Sequence, residues 1–189
     1  YCAKVTGVLN IPNCTTLGSN AFEGTSITRV EDIGFANVGT LTFANCKSLV
    51  YADIHKSKTI GGFSGCSALE EVVTDDEGIT AIGAGAFDNT TKLSREWILP
   101  NCTVLGYNAF RNSAGLTYVL PKITALEVLT FQYHTKIQEL YLRDISEIKM
   151  DNFQGITTLR YFVVDNTTPP TMNGNLNNIA NMVIYVPDG

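Results

Sequence analysis

The 189-residue chain is 44% hydrophobic and 16% charged, which supplies the apolar material of a folded domain or an elongated array and excludes a disordered tail. Thirteen basic residues against eighteen acidic ones, with no basic run, give a net charge of −5 and argue against nucleic acid, since phosphate binding needs clustered Lys and Arg. No apolar run approaches the roughly 18 residues of a membrane-spanning helix, so insertion by this segment is not expected; the chain starts at Tyr1 rather than Met, and its lack of a leader is uninformative about localisation.

In chain order, residues 1–10 lack the phenylalanine that marks later units and read as a partial or capping unit. Residues 11–22, IPNCTTLGSNAF, then reappear as LPNCTVLGYNAF at 99–110, identical at nine of twelve positions. Duplicated phrases are the mark of a repeated structural unit, and alignment on the phenylalanine gives Phe22, Phe43, Phe63, Phe87, Phe110, Phe131 and Phe153. The intervals of 21, 20, 24, 23, 21 and 22 residues set a period near 22. An aliphatic anchor follows each Phe by six residues: Leu49, Leu69, Leu93, Leu116, Ile137 and Leu159, with Ile27 one place early. A second anchor precedes it by five: Leu17, Val38, Ile82, Leu105, Leu126 and Ile148, with Ile60 substituting in the Phe63 unit, where Lys58 falls in register.

After each first anchor comes a short stretch rich in β-branched and aromatic residues, as in LTYVL (116–120), IQELYL (137–142) and LRYFVV (159–164), which predicts one short strand per unit. The rest of each unit carries Gly turns and small polar residues and predicts compact turns. One unit cannot bury its Leu and Phe alone; stacked units form a parallel ladder of about 4.8 Å per step around a continuous apolar column.

The unit L-x-x-V-x-L-P-x-x-x-T-x-L-G-x-x-A-F-x-x-C, clearest in 9–30 and 97–119, resembles the BspA-type branch of the leucine-rich repeat proteins. Its AF-x-G-C-x-x-L signature appears as AFEGTSI, TFANCKSL, GFSGCSAL, AFDNTTKL and AFRNSAGL; the Phe131 unit departs from it with Gln132, Tyr133 and His134. The resemblance implies a single right-handed solenoid over 1–189, about seven repeats with one strand per unit on the concave face and turns or short 3-10 segments elsewhere. It also implies a C-terminal capping unit at 165–189, with Leu176 in place of Phe and Met182 and Tyr185 in the aliphatic positions. For function it implies a bacterial cell-surface or secreted protein that binds a protein or glycan, host extracellular matrix included. A spacer that displays another domain is the alternative.

Chemistry-bearing residues fall into the repeat columns. Cys46 and Cys66 sit three residues after their Phe, a place held elsewhere by Thr25, Thr90, Ser113 and His134, and read as small buried residues. Cys14 and Cys102 share another column four coils apart, too far to bond. The two histidines, His55 and His134, have no partner at metal-ligand spacing, GFSGC at 62–66 lacks the last Gly of a nucleophile elbow, and GAGAF at 83–87 lacks the third Gly of a dinucleotide loop. DDEG at 75–78 reads as a solvated insertion rather than a calcium loop. The sequons at Asn13, Asn89, Asn101 and Asn166 matter only in a eukaryotic secretory protein. The expectation is therefore a non-enzymatic chain with no cofactor and no metal.

One constellation stands apart. Strand alternation sends anchors inward and the residues between them onto the outer side of the sheet, placing Arg29 and Glu31, Tyr51 and Asp53, Glu71 and Val73, Tyr118 and Leu120, Glu139 and Tyr141, and Tyr161 and Val163 on one face. Four of the chain's eight tyrosines stand there, and Tyr suits recognition surfaces. The candidate binding residues are Arg29, Tyr51, Asp53, Glu71, Tyr118, Glu139, Tyr141 and Tyr161. The direction of Trp97 is left open by the irregular SREWIL stretch.

Overall fold

The computed structural model describes residues 5–14, 17–31, 34, 36–173 and 183–185. Each coil contributes to a parallel main ladder. Its first part joins β1 (Thr6–Asn10), β2 (Ser26–Glu31), β4 (Tyr51–Asp53) and β6 (Glu71–Val73) in that order. Its second part joins β8 (Glu96–Ile98), β10 (Thr117–Leu120), β11 (Glu139–Arg143), β13 (Tyr161–Asp165) and β15 (Val183–Tyr185). Along both parts the inward positions stack in register: Val30, Ala52 and Val72, then Trp97, Tyr118, Leu140 and Phe162, all buried.

The anchor column that precedes Phe builds a second ladder, which the sequence pattern placed in turns. Two-residue strands β3 (Asn37–Val38), β5 (Thr59–Ile60), β7 (Ala81–Ile82) and β9 (Val104–Leu105) pair in parallel, and β12 (Glu147–Lys149) pairs with β14 (Thr171–Asn173). Val38, Ile60, Ile82 and Leu105 stack directly, so Ile60 does fill the place vacated by Lys58. A short 3-10 turn spans Met150–Phe153.

The third side is the Phe turn. Phe22 through Phe153 form one column of seven near-parallel rings, with centroids 5.4–6.4 Å apart and interplanar angles of 6–14°. Left-handed residues, one in every turn and two in five of the seven, fold the turn tightly enough to aim each ring inward. Two places after Phe stand Gly24, Asn45, Gly65, Asn89, Asn112, Tyr133 and Gly155, all with φ between +50° and +77°. Two places before it stand Asn20, Leu41, Gly85, Asn108 and Leu129, also left-handed. Gly and Asn tolerate this conformation; Leu and Tyr do so at a cost. The turn also hydrogen-bonds coil to coil: the amides of Gly24, Asn45, Gly65, Asn89, Asn112 and Tyr133 each donate to a carbonyl of the next coil, at 2.7–2.9 Å.

The main ladder is interrupted between β6 and β8, where the longest repeat interval carries the acidic run. Arg95 spans the gap. It donates to the Val72 carbonyl and to Thr74 Oγ1, both at 2.9 Å, and through Nη2 to both Asp76 carboxylate oxygens, while its guanidinium lies 4.3 Å over the Trp97 ring. The run is thus only in part a solvated insertion: Asp76 is half-buried and anchors the crossing.

The repeat frame is visible over the described coils. Of the expected capping unit, Leu176 and Met182 lie outside the described residues; Val183–Tyr185 pairs with β13.

Candidate interaction face

Strand alternation leaves two outward rows on the main ladder. The first row runs Arg29, Tyr51, Glu71, then Glu96, Thr117, Glu139 and Tyr161. The second runs Glu31, Asp53, Val73, then Ile98, Val119, Tyr141 and Val163. Arg29, Tyr51, Asp53, Glu71, Glu139, Tyr141 and Tyr161 therefore occupy outward positions of the sheet.

Tyr118 does not, and Leu120 follows it inside; both are buried, Tyr118 completely. The coil after Phe110 is one residue short. Gly115 stands where other coils have begun their approach to the strand, and a Cβ on it would meet Tyr118 Oη at 2.3 Å and Trp97 Cδ1 at 3.1 Å. Leu116 is displaced to a half-buried position, and the Tyr118 and Trp97 rings fill the volume that an inward anchor holds elsewhere. The shift by one residue sends Tyr118 to the core face. Thr117 and Val119 take the outward places, and Trp97, its direction now fixed as inward, leaves Glu96 and Ile98 outward in the preceding coil.

Tyr118 instead bonds to the buried polar column that stands three residues after six of the seven Phe residues. Its hydroxyl lies 2.9 Å from His134 Nε2, and His134 Nδ1 accepts from the Ile137 amide at 3.2 Å. An accepting Nδ1 puts the proton on Nε2, which donates to the phenol. Burial holds His134 down to about 3 and raises the Tyr118 phenol, so both are neutral. In the same column Thr90 and Ser113 hydroxyls meet at 3.0 Å, and the Cys46 and Cys66 thiols donate to the Phe22 and Phe43 carbonyls at 3.1 and 3.0 Å. Cys46, Cys66 and Cys102 are all buried and free.

The outward rows change character along the molecule. Over β2, β4 and β6 they are polar apart from Val73: Arg29 stacks 4.0 Å above the Tyr51 ring and donates to Glu31 at 3.1 Å, and Asp53 lies 2.6 Å from His55 Nδ1. From β8 onward the second row is apolar except for the Tyr141 hydroxyl. Ile98 is 48% exposed and, in the neighbouring row, Tyr161 is 50% exposed. Val119, Tyr141 and Val163 line an open groove of about 430 Å³, closed at the strand ends by Pro121 and by Arg143, whose Nε and Nη2 both donate to Asp165 Oδ2 at 2.7 and 2.5 Å. The Tyr141 hydroxyl donates to Glu139 Oε2 at 3.2 Å. Desolvation, then the Glu139 carboxylate, raises the Tyr141 phenol; desolvation, then Asp53 and Glu71, raises that of Tyr51. Both phenols remain protonated donors.

Glu96, Thr117, Ile98 and Val119 escaped the sequence reading. The available signal was the Gly115–Leu116 pair, a glycine immediately before the anchor in a repeat of otherwise normal length. Among the described residues no group of three or more His, Cys, Asp or Glu side chains converges to hold a metal, and no helix is long and apolar enough to cross a membrane.

The family model of the BspA type leucine rich repeat region matches in six copies, over residues 1–117 and 60–173. A comparison with curated proteins returns no match. Residue columns, ladder register and family match agree: the chain belongs to the BspA-type leucine-rich repeat family, a repeat class associated with protein interaction and bacterial surface proteins.

Proposed function

We propose that this chain is a non-enzymatic, extracellular or cell-surface adhesion module that binds a protein ligand through the outward face of β8, β10, β11 and β13. The observation that carries this reading is the row Ile98, Val119, Tyr141 and Val163, flanked by exposed Tyr161. It places contiguous apolar and aromatic surface on a rigid ladder instead of in the core. Single exposed hydrophobic residues are ordinary, but an aligned set with rigid tyrosines suits a recognition surface. The titratable groups nearby support structure: Arg143 is tied to Asp165, and Tyr141 to Glu139.

The test is a screen of the purified domain against immobilised extracellular-matrix proteins and a glycan array, with a Tyr141→Ala/Tyr161→Ala variant beside it. The reading expects a protein hit weakened at least about tenfold by the variant, consistent with loss of one or two interface aromatics. A hit insensitive to the variant would place binding elsewhere. Silence from both proteins would favour a spacer that displays another domain.

A further inference from the structure

We infer that the face takes a cationic polypeptide segment, one in which Lys or Arg side chains accompany aliphatic or aromatic ones; this rests on the reading of the face as a protein-binding surface. The two rows differ in chemistry and run side by side. The second presents Ile98, Val119, Tyr141 and Val163, whereas the first presents Glu71, Glu96 and Glu139 on the same or adjacent coils. Rows lie two residues apart along each strand, about 6.6 Å, and advance about 4.8 Å per coil. Neighbouring side chains of one bound segment can therefore reach both rows.

Three arginines on or beside the ladder are already engaged. Arg29 is held by Glu31 and Tyr51, Arg95 by Asp76 and the Val72 carbonyl, and Arg143 by Asp165. Glu71 and Glu96 are exposed and, among the described residues, have no ion-pair partner. Unpaired like charges in one row repel phosphate, sulfate and anionic lipid and attract a partner that brings positive charge. The apolar row distinguishes this from simple charge attraction, because its burial requires side chains that a plain cation lacks.

Fluorescence anisotropy would use a labelled synthetic peptide alternating Lys and Leu, with Lys–Ser, Glu–Leu and neutral N-acetylglucosamine oligomers as comparisons. The Lys–Leu peptide is expected to bind at least about tenfold tighter than either other peptide, and Glu71→Gln/Glu96→Gln/Glu139→Gln to weaken it about tenfold while flattening its salt dependence. These carboxylates are exposed or half-exposed, so the triple variant retains its core, verifiable by an unchanged melting temperature. Equal binding of the Lys–Ser peptide, indifference to the triple variant, or preference for the oligomers would overturn the inference. A matrix protein that loses binding with Tyr141→Ala/Tyr161→Ala but not with the triple variant would keep the face and reject the cationic partner; indifference to both would reject the face as well.

Discussion

Single residues decide where the repeat bends to accommodate its exceptions. Leu41 holds a left-handed φ of +57° at a place where Asn20 and Asn108 do so in other coils. Leu41→Asn is expected to raise stability by about 0.5–1 kcal/mol, less any packing lost by the half-buried side chain, and a denaturant titration at constant m-value would register it. His134 gives a pH-dependent counterpart. Its folded value of about 3 lies below the ordinary 6.5, so the unfolded chain binds the extra proton between these limits. The stabilisation is complete above pH 6.5 and drains away as pH falls toward 3, amounting to about 2 kcal/mol by pH 5. His134→Gln should flatten the fall in melting temperature between pH 7 and 5; an unchanged slope would show that His134 titrates normally in the fold. Tyr118 shows where reading residues by spacing fails. Its coil keeps the period, yet Gly115 shortens the approach to the strand by one place, and a strand's two-residue alternation turns a single-residue slip into an exchange of faces.

At the scale of elements, the Phe turns and main-ladder strands were legible because each demands a particular side chain at a fixed offset. The seven phenylalanines stack as the column predicted, and Ile60 takes its substitute place. The second ladder was not legible as strand, since two paired residues per coil leave no alternating pattern to detect. Nor was the role of Arg95, whose partners lie 19–23 residues back and depend on how the longest coil loops out. Its five-donor fork replaces hydrogen bonds that β6 and β8 do not make with each other. Arg95→Lys should therefore cost about 2 kcal/mol despite conserving charge, and hydrogen exchange should quicken in 71–78 and 96–98 before the rest of the ladder. Unchanged exchange there would mean that the junction is held by the second ladder and the Phe column alone.

Across the whole molecule, stability is shared between neighbouring coils, because almost every hydrogen bond and ring contact outside a turn joins one coil to the next. Phe87, completely buried between Phe63 and Phe110 and against Trp97, should cost about 3–5 kcal/mol on truncation to Ala. Among the described residues Phe22 has only Phe43 as a stacking partner, and it is partly exposed, so the same change there should cost markedly less. Calorimetry of the two variants separates this graded array from a uniformly cooperative domain, in which the costs would converge. The same architecture divides the labour of the surface: regular columns make the scaffold, and the outward rows, free of packing demands, vary from polar over β2 to β6 to apolar and acidic beyond β8. The sequence period reveals such a face exists, but which residues stand on it depends on local insertions and deletions.

The most direct measurement is a hydrogen-exchange footprint of the domain with and without a protein ligand obtained from the matrix screen. Protection confined to the strands 96–98, 117–120, 139–143 and 161–165 is the predicted result. Protection centred on the Phe turns or the second ladder, with those strands unaffected, would contradict the assignment of the binding face.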